Sequence, residues 1–120
     1  KWVEKHVPMM EITHRSPIQL RMAFWEQWEK AKSRGAQMAG ECIWPVEANF
    51  LSQCIADDAQ RLKTAPYPCY DISSIMLAAG MDVMKTYERT ESEKPAHNPL
   101  ADSRQSARLL SQALRRINSP

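Results

Sequence analysis

Prolines and glycines divide this chain of 120 residues into short segments, and this punctuation constrains its fold most strongly. Ser16-Pro17 predicts the start of a helix, because serine caps a first turn and proline is tolerated at its first position. Apolar residues then recur every three or four positions until Gly35, a natural helix end, so we predict a helix over residues 17–34. Its buried face is predicted to carry seven residues: Ile18, Leu20, Met22, Phe24, Trp25, Trp28 and Ala31.

The stretch between Gly35 and Pro45 is short, and its apolar end favours a strand over a helix. We predict a buried strand over residues 37–44, in which Trp44 belongs to the core. A second helix is predicted from about residue 46 to residue 62. Its apolar face would consist of Phe50, Leu51, Cys54, Ile55 and Leu62.

Two further helices and a charged segment are predicted after the extended connection Pro66-Tyr67-Pro68. The third helix would follow Asp71 and end at Gly80. Residues 81–96 contain seven charged side chains and are predicted to form a mobile surface segment, with a short helix around residues 83–87. The last helix is predicted to turn five residues inward, Leu109, Leu110, Ala113, Leu114 and Ile117, and to keep four arginines in solvent, Arg104, Arg108, Arg115 and Arg116.

Composition sets the outer limits on function. The length suffices for one domain with a hydrophobic core, and we predict a single domain over residues 1–120. The net charge of +2 is too small to attract nucleic acid to the protein as a whole, so nucleic-acid binding would need a local groove. No apolar run is long enough to span a membrane. The odd number of cysteines without C-x-x-C spacing favours reduced thiols in a cytoplasmic protein rather than disulfides or a zinc site.

His97 and Asp102 are the candidate catalytic pair of this sequence. They lie five positions apart just before the last predicted helix. A histidine can accept a proton near neutral pH, and an aspartate at a helix start can hold a divalent cation, so the pair could activate a water molecule. The simpler interpretation is a loop histidine followed by an aspartate that caps the helix.

Three segments in the same order make the chain resemble the C-terminal two-thirds of the DEDDh 3'-5' exonucleases. Residues 43–50 (IWPVEANF) resemble the strand that leads into the second motif of that family. Residues 70–76 (YDISSIM) resemble the segment in which an aspartate precedes the next helix, and residues 97–102 (HNPLAD) resemble the third motif. The resemblance covers about residues 12 to 117. It implies an α/β, ribonuclease H-like exonuclease fold, here mostly its helical C-terminal part without the opening strands.

The resemblance also implies an activity: metal-dependent hydrolysis of phosphodiester bonds from the 3' end of single-stranded DNA or RNA. Two divalent cations, Mg²⁺ or Mn²⁺, would stabilise the attacking and leaving oxygens. His97 would be the general base and Asp102 a metal ligand. Asn49 and Phe50 would contact the terminal nucleotide, although packing in the core is the simpler role for Phe50.

The chain departs from the family pattern at two places. No aspartate is followed two positions later by a glutamate, although Asp-x-Glu is the first family motif. We therefore expect an incomplete exonuclease domain that is inactive alone and belongs to a longer protein. Leu51 stands where the family has a metal-binding aspartate, and Glu47 lies one helical turn earlier, about 6 Å away on the same face. Glu47 is the predicted substitute, although it could simply favour the positive end of the helix dipole.

Two other functions remain open. Loss of one carboxylate could leave a catalytically degenerate module of the same fold that binds nucleic acid or protein. Alternatively, the chain could be an unrelated helical interaction protein whose contact surface is the Trp- and Met-rich face of residues 18–31. A homodimer or a larger replication, repair or RNA-processing partner is possible in either case, and no membrane partner is expected.

Overall fold

The computed structural model of the chain describes residues 11–119. Residues 11–71 form one compact unit and residues 72–119 form another, and each is described by itself. The predicted single domain also includes residues 1–10 and 120, which lie outside the described residues. The division into two units does not test whether residues 1–120 form a single domain, so the single domain stays a prediction.

The first helix, α1, spans Pro17–Ser33 and begins as the sequence predicts. The Ser16 hydroxyl accepts a hydrogen bond from the Gln19 N–H at 3.2 Å, and Pro17 occupies the first helical position. Gly35 follows the helix with φ of +86°, a conformation that glycine adopts without steric cost. The predicted start and end of α1 are therefore confirmed.

The core of residues 11–71 is narrower than the sequence predicts. Trp25 and Trp28 of α1 are buried together with Cys54, and the Trp28 indole N–H donates to the Thr64 carbonyl at 2.8 Å. The prediction that the whole apolar face of α1 is buried is wrong, because the first half of that face lies in solvent. The exposed residues there are Ile18, Leu20 and Met22.

A two-stranded parallel sheet is formed by β1, Met38–Gly40, and β2, Cys69–Asp71. Met38 pairs with Cys69 and Gly40 pairs with Asp71. Parallel strands require a crossover connection, and it contains the second helix. The predicted strand over residues 37–44 exists but is three residues long. The prediction that Trp44 lies in the core is wrong, since its side chain is 81% exposed. The partner strand is equally short, and the chain turns away at Cys42, whose φ is +52°.

The second helix, α2, spans Val46–Asp57 and ends earlier than the predicted residue 62. Asp58 has extended backbone angles, and its carboxylate accepts the Gln60 N–H at 3.0 Å. This contact starts a separate 3-10 helix, Ala59–Thr64, because a short polar side chain competes with the helical hydrogen-bond pattern. Leu62 is consequently exposed rather than part of an apolar face.

The unit of residues 72–119 is built on two helices, α3, Ile72–Ala78, and α4, Pro99–Asn118. Gly80 follows α3 with φ of +71°, as its predicted end requires. The predicted inward face of α4 is correct for Leu109 and Ala113, whereas Leu114 and Ile117 are substantially exposed. Five buried residues form the core of this unit: Ile72, Met76, Met81, Leu109 and Ala113.

The segment between these helices differs from its prediction. No helix forms at residues 83–87, and a short 3-10 helix occupies Glu91–Glu93 instead. The prediction of a surface segment is wrong at Met81 and Glu93, which are buried. Burial of Glu93 is possible because Arg108 of α4 pairs with its carboxylate. Within residues 11–119, none of the helices combines the length and apolar character needed to cross a bilayer.

Candidate functional site

The predicted His97 and Asp102 lie at the start of α4, His97 two residues before the helix and Asp102 in its first turn. Asn98 is the N-cap, and its side-chain oxygen accepts the Ala101 N–H at 3.1 Å. Pro99 follows at the first helical position, where its missing N–H costs nothing. Asp102 lies in the first turn, so the simpler interpretation of Asp102 as the helix cap is wrong. Its charge still favours the positive end of the helix dipole.

The structure brings the backbone of His97 to the side chain of Asp102. The His97 N–H donates to Asp102 Oδ1 at 3.2 Å. His97 is exposed and has φ of +65°, in the left-handed region that L-residues rarely adopt. The contact therefore closes a tight turn between the His97 backbone and the Asp102 carboxylate. We call residues 97–102, which comprise two residues before α4 and its first four residues, the His-Asp loop.

Arg89 makes an ion pair with the same carboxylate oxygen. Its Nη2 lies 2.9 Å from Asp102 Oδ1, and its Nη1 donates to the Glu93 carbonyl at 2.7 Å. The Asp102 side chain is 43% exposed and the Arg89 side chain 21%. Among the residues that the structure describes, Asp102 Oδ2 makes no hydrogen bond or ion pair. One oxygen of Asp102 is thus engaged twice, by the Arg89 guanidinium and by the His97 N–H.

A second ion pair anchors the segment that carries Arg89. The Glu93 carboxylate accepts from Arg108 Nε and Nη2 and from the Thr90 N–H. The Arg108 hydrogen bonds are the main reason why the pKa of Glu93 falls to about 2, against the opposing effect of burial. The prediction that Arg108 belongs to a solvated helix face is therefore wrong.

Sequence reasoning missed Arg89, Glu93 and Arg108 as neighbours of the His-Asp loop. A local signal was present, because Thr90-x-x-Glu93 has the spacing of a capping box. That motif predicts an ordered turn at Glu93 rather than a mobile segment. The arginine partners are separated from their carboxylates along the chain, so no local pattern identifies them.

The other predicted site residues belong to the unit of residues 11–71. Glu47 lies exposed in the first turn of α2, where its charge favours the helix dipole, and Asn49 is also exposed. Phe50 is half-buried and packs edge-to-face on Phe24, with ring centroids 5.0 Å apart. Leu51 packs against the same core. The predicted roles of Glu47, Asn49 and Phe50 toward metal and nucleotide stay predictions.

The donor set of the His-Asp loop suits a hard divalent cation only in part. A carboxylate oxygen such as Asp102 Oδ2 is a ligand that Mg²⁺ and Mn²⁺ prefer. Across residues 11–119, however, no group of three or more His, Cys, Asp and Glu side chains is arranged to hold one metal ion. The loop therefore offers one ligand oxygen beside an exposed histidine.

Comparison of the chain with models of known protein families, with curated proteins and with solved structures found no match. The resemblance to the DEDDh exonucleases therefore depends on the residues of the three sequence segments alone. The described residues are mostly helical, with a two-stranded parallel sheet. The ribonuclease H-like fold stays a prediction.

Proposed function

We propose that this protein acts as a metal-dependent 3'-5' exonuclease on the 3' end of single-stranded DNA or RNA. The observation that carries the proposal is the contact between the His97 N–H and Asp102 Oδ1 at 3.2 Å. It joins the backbone of a residue whose imidazole can accept a proton to the carboxylate of a residue that can bind a cation, at the start of a long helix. The spacing of the two residues is also that of the third exonuclease motif.

In this proposal, His97 accepts the proton of the attacking water, a task that suits an imidazole because its ordinary pKa lies near neutrality. Asp102 contributes Oδ2 as a cation ligand. Bound divalent cations supply electrostatic stabilisation of the attacking and leaving oxygens. Two cations need more oxygens than Asp102 offers, so other carboxylates of the protein must complete the set.

The order of the elements supports the same proposal. Within residues 11–71, β1, α2 and β2 form a parallel strand–helix–strand unit, the building block of α/β folds. The segment that resembles the second motif leads from this sheet into α2. Glu47 follows the carboxyl end of β1, the side of a parallel sheet at which ligands commonly bind.

Two observations favour a catalytically degenerate module as the second candidate. Arg89 already neutralises Asp102, and the described residues hold no group of three metal-binding side chains. Such a protein would bind a single strand without cleaving it. For the helical interaction protein, Trp25 and Trp28 are buried and do not form a contact surface, whereas Ile18, Leu20 and Met22 of the same predicted face are exposed.

The test is release of mononucleotides from a single strand labelled to report its 3' end, with DNA and RNA compared and Mg²⁺ or Mn²⁺ titrated. The protein is used at its native length. We expect His97→Ala to lower hydrolysis by about 100-fold or more, because the general base is lost. His14→Ala is the matched control, since His14 lies in the other unit and bonds its neighbour Thr13.

Each result separates the candidates. Metal-dependent hydrolysis that His97→Ala removes and His14→Ala retains supports the exonuclease. Binding of the strand without hydrolysis at any metal concentration supports the degenerate module. Neither binding nor hydrolysis overturns both.

A further inference from the structure

We propose that one edge of the small parallel sheet binds single-stranded nucleic acid through an exposed tyrosine and three cations around it. The edge belongs entirely to residues 11–71, all of which the structure describes. It consists of Lys32, Arg34, Lys63 and Tyr67, and we call it the Tyr-basic edge. The inference rests on the proposed function for the identity of the ligand. It adds a contact surface outside the three segments that resemble the exonucleases.

The register of the sheet brings two parts of this edge together. Met38 of β1 pairs with Cys69 of β2, and the strands are parallel, so the residues before each strand enter the sheet at the same end. Arg34 ends α1 and leads into β1, and Tyr67 leads into β2. Both residues therefore lie at the amino-terminal edge of the sheet.

A tertiary contact adds the two lysines to this edge. The Trp28 indole N–H donates to the Thr64 carbonyl at 2.8 Å, which joins the end of α1 to the end of the 3-10 helix. Lys32 Nζ lies 6.0 Å from the centroid of the Trp28 ring, and Lys63 directly precedes Thr64. Both lysines are exposed, so they flank the buried indole at the surface.

Tyr67 supplies an aromatic ring to the same surface. It is 94% exposed and lies between Pro66 and Pro68, whose rings restrict the backbone on either side. A ring presented on a stiff segment can stack on a nucleic-acid base, whatever the base is. An aromatic side chain among cations is the combination with which proteins bind single strands without sequence preference.

The balance of charge at this edge favours a polyanion. Lys32, Arg34 and Lys63 form no ion pair with a carboxylate of residues 11–71. One carboxylate, that of Glu29, lies at the same contact, and its Oε1 already accepts from the Thr64 hydroxyl at 3.0 Å. Three cations therefore stand against a single carboxylate that the fold already uses.

The opposite edge of the sheet is acidic. Asp71 ends β2, and Glu41 and Glu47 follow β1. The two edges are separated by the length of a three-residue strand, about 10 Å. A strand whose 3' end lay at Asn49 and Phe50, as the resemblance implies, would reach the Tyr-basic edge with its preceding nucleotides. Its phosphates would there meet cations, which the acidic edge does not offer.

The experiment measures fluorescence anisotropy of a labelled oligothymidylate of about 12 nucleotides with the native-length protein. Divalent cations are omitted, so that no hydrolysis follows binding. Tyr67→Ala should bind about 10-fold more weakly, whereas Tyr67→Phe keeps the ring and should bind like the wild type. Three phosphate contacts predict a slope of about −2 for log affinity against log salt, and Lys63→Gln should reduce its magnitude by about 0.7.

Two variants serve as matched controls. Arg15→Gln removes an exposed cation of the same unit that lies before α1, about 26 Å from Arg34 across a helix of 17 residues. Trp44→Ala removes an aromatic side chain that is 81% exposed beyond the other end of β1. Arg15→Gln should leave the salt slope unchanged, and Trp44→Ala should bind more tightly than Tyr67→Ala.

The outcomes decide the inference. Weaker binding by Tyr67→Ala, retained by Tyr67→Phe, together with the smaller salt slope of Lys63→Gln, supports it. Unchanged affinity of Tyr67→Ala overturns it, and so does an equal change of slope in Arg15→Gln, which would show a dependence on net charge alone. If polyglutamate displaces the strand equally well from the wild type and from Tyr67→Ala, the edge binds an acidic protein and the inference is overturned.

Failure of the inference and failure of the proposed function remain distinguishable. Metal-dependent hydrolysis by the wild type, with Tyr67→Ala and Lys63→Gln unchanged in affinity, overturns the inference alone. Binding that depends on both residues, without hydrolysis at any metal concentration, overturns the exonuclease alone and supports the degenerate module. Neither binding nor hydrolysis by the wild type overturns both.

Discussion

Glu93 and Arg108 form a two-point ion pair in which Arg108 Nε and Nη2 donate to the two carboxylate oxygens at 2.8 and 2.9 Å. The Glu93 side chain is 4% exposed, and the Thr90 N–H adds a third donor at 3.1 Å. These donors favour the charged carboxylate and lower the pKa of Glu93 from 4.5 to about 2. The pair joins the segment between α3 and α4 to α4 itself, and with it the segment that carries Arg89.

The first prediction concerns the dependence of stability on pH. Because the pKa of Glu93 is lower in the folded state, its ion pair stabilises the fold fully above about pH 4.5. That contribution is lost as the pH falls toward about 2. We expect Glu93→Gln to lower the unfolding temperature at pH 7 and to flatten its decline across this interval.

The measurement is thermal unfolding followed by circular dichroism at several pH values. Glu91→Gln is the control, because Glu91 is almost fully exposed and, within residues 11–119, its carboxylate pairs with Lys94 alone, at 3.0 Å. Asp57, whose pKa is lowered mainly by its hydrogen bond with Arg21, contributes equally to the wild type and to both variants. Identical curves for Glu91→Gln and Glu93→Gln would contradict the assignment to the buried pair.

The parts of the fold that depend on neighbouring residues could be predicted from the sequence. Ser16 and Pro17 specify the start of α1 through contacts inside its first turn. Gly80 in the same way specifies the end of α3. The length of β1 could not be predicted, because it is limited by a partner strand about thirty positions away. The exposure of Trp44 follows from that limit, since a tryptophan beyond a three-residue ladder has no sheet to pack against.

The candidate site shows the same division. The proximity of His97 and Asp102 could be predicted from their spacing, because both residues belong to one helix start. The ion-pair partners of Arg89 and Arg108 could not be predicted, because they lie far away along the chain and leave no periodic pattern in the sequence. The charged side chains of residues 81–96 predicted exposure to solvent. The carboxylate of Glu93 is nevertheless buried, because Arg108 on α4 pairs with it.

The second prediction concerns the core of residues 72–119. Met76 is 1% exposed, whereas its neighbour Leu77 on α3 is 70% exposed. Met76→Ala should lower the free energy of unfolding by about 2–5 kcal/mol, because it removes buried apolar contacts and leaves a cavity. Leu77→Ala should change it by less than about 0.5 kcal/mol. Urea titration measures both values, and similar losses in the two variants would refute the described orientation of α3.

The third prediction concerns the cysteine thiols. Cys42 is exposed, Cys69 is half-buried and Cys54 is fully buried. Burial, the largest cause, raises the pKa of the Cys54 and Cys69 thiols, which lowers the fraction present as reactive thiolate. A thiol-specific reagent followed by peptide mass spectrometry should therefore label Cys42 first and Cys54 only when the unit unfolds. Cys42→Ser should abolish the fast phase, and a fast phase that persists would disprove this order.

The last prediction separates the backbone of His97 from its imidazole. The φ of +65° costs an L-residue about 1–2 kcal/mol relative to glycine, so His97→Gly should be more stable than His97→Ala by about 1 kcal/mol. Both variants keep the N–H that donates to Asp102 Oδ1, and both lose the proposed general base. Hydrolysis should consequently fall to the same extent in each, while urea unfolding ranks glycine above alanine. If His97→Gly retained hydrolysis that His97→Ala lost, the imidazole would not be the base, and the effect of alanine would come from distortion of the His-Asp loop.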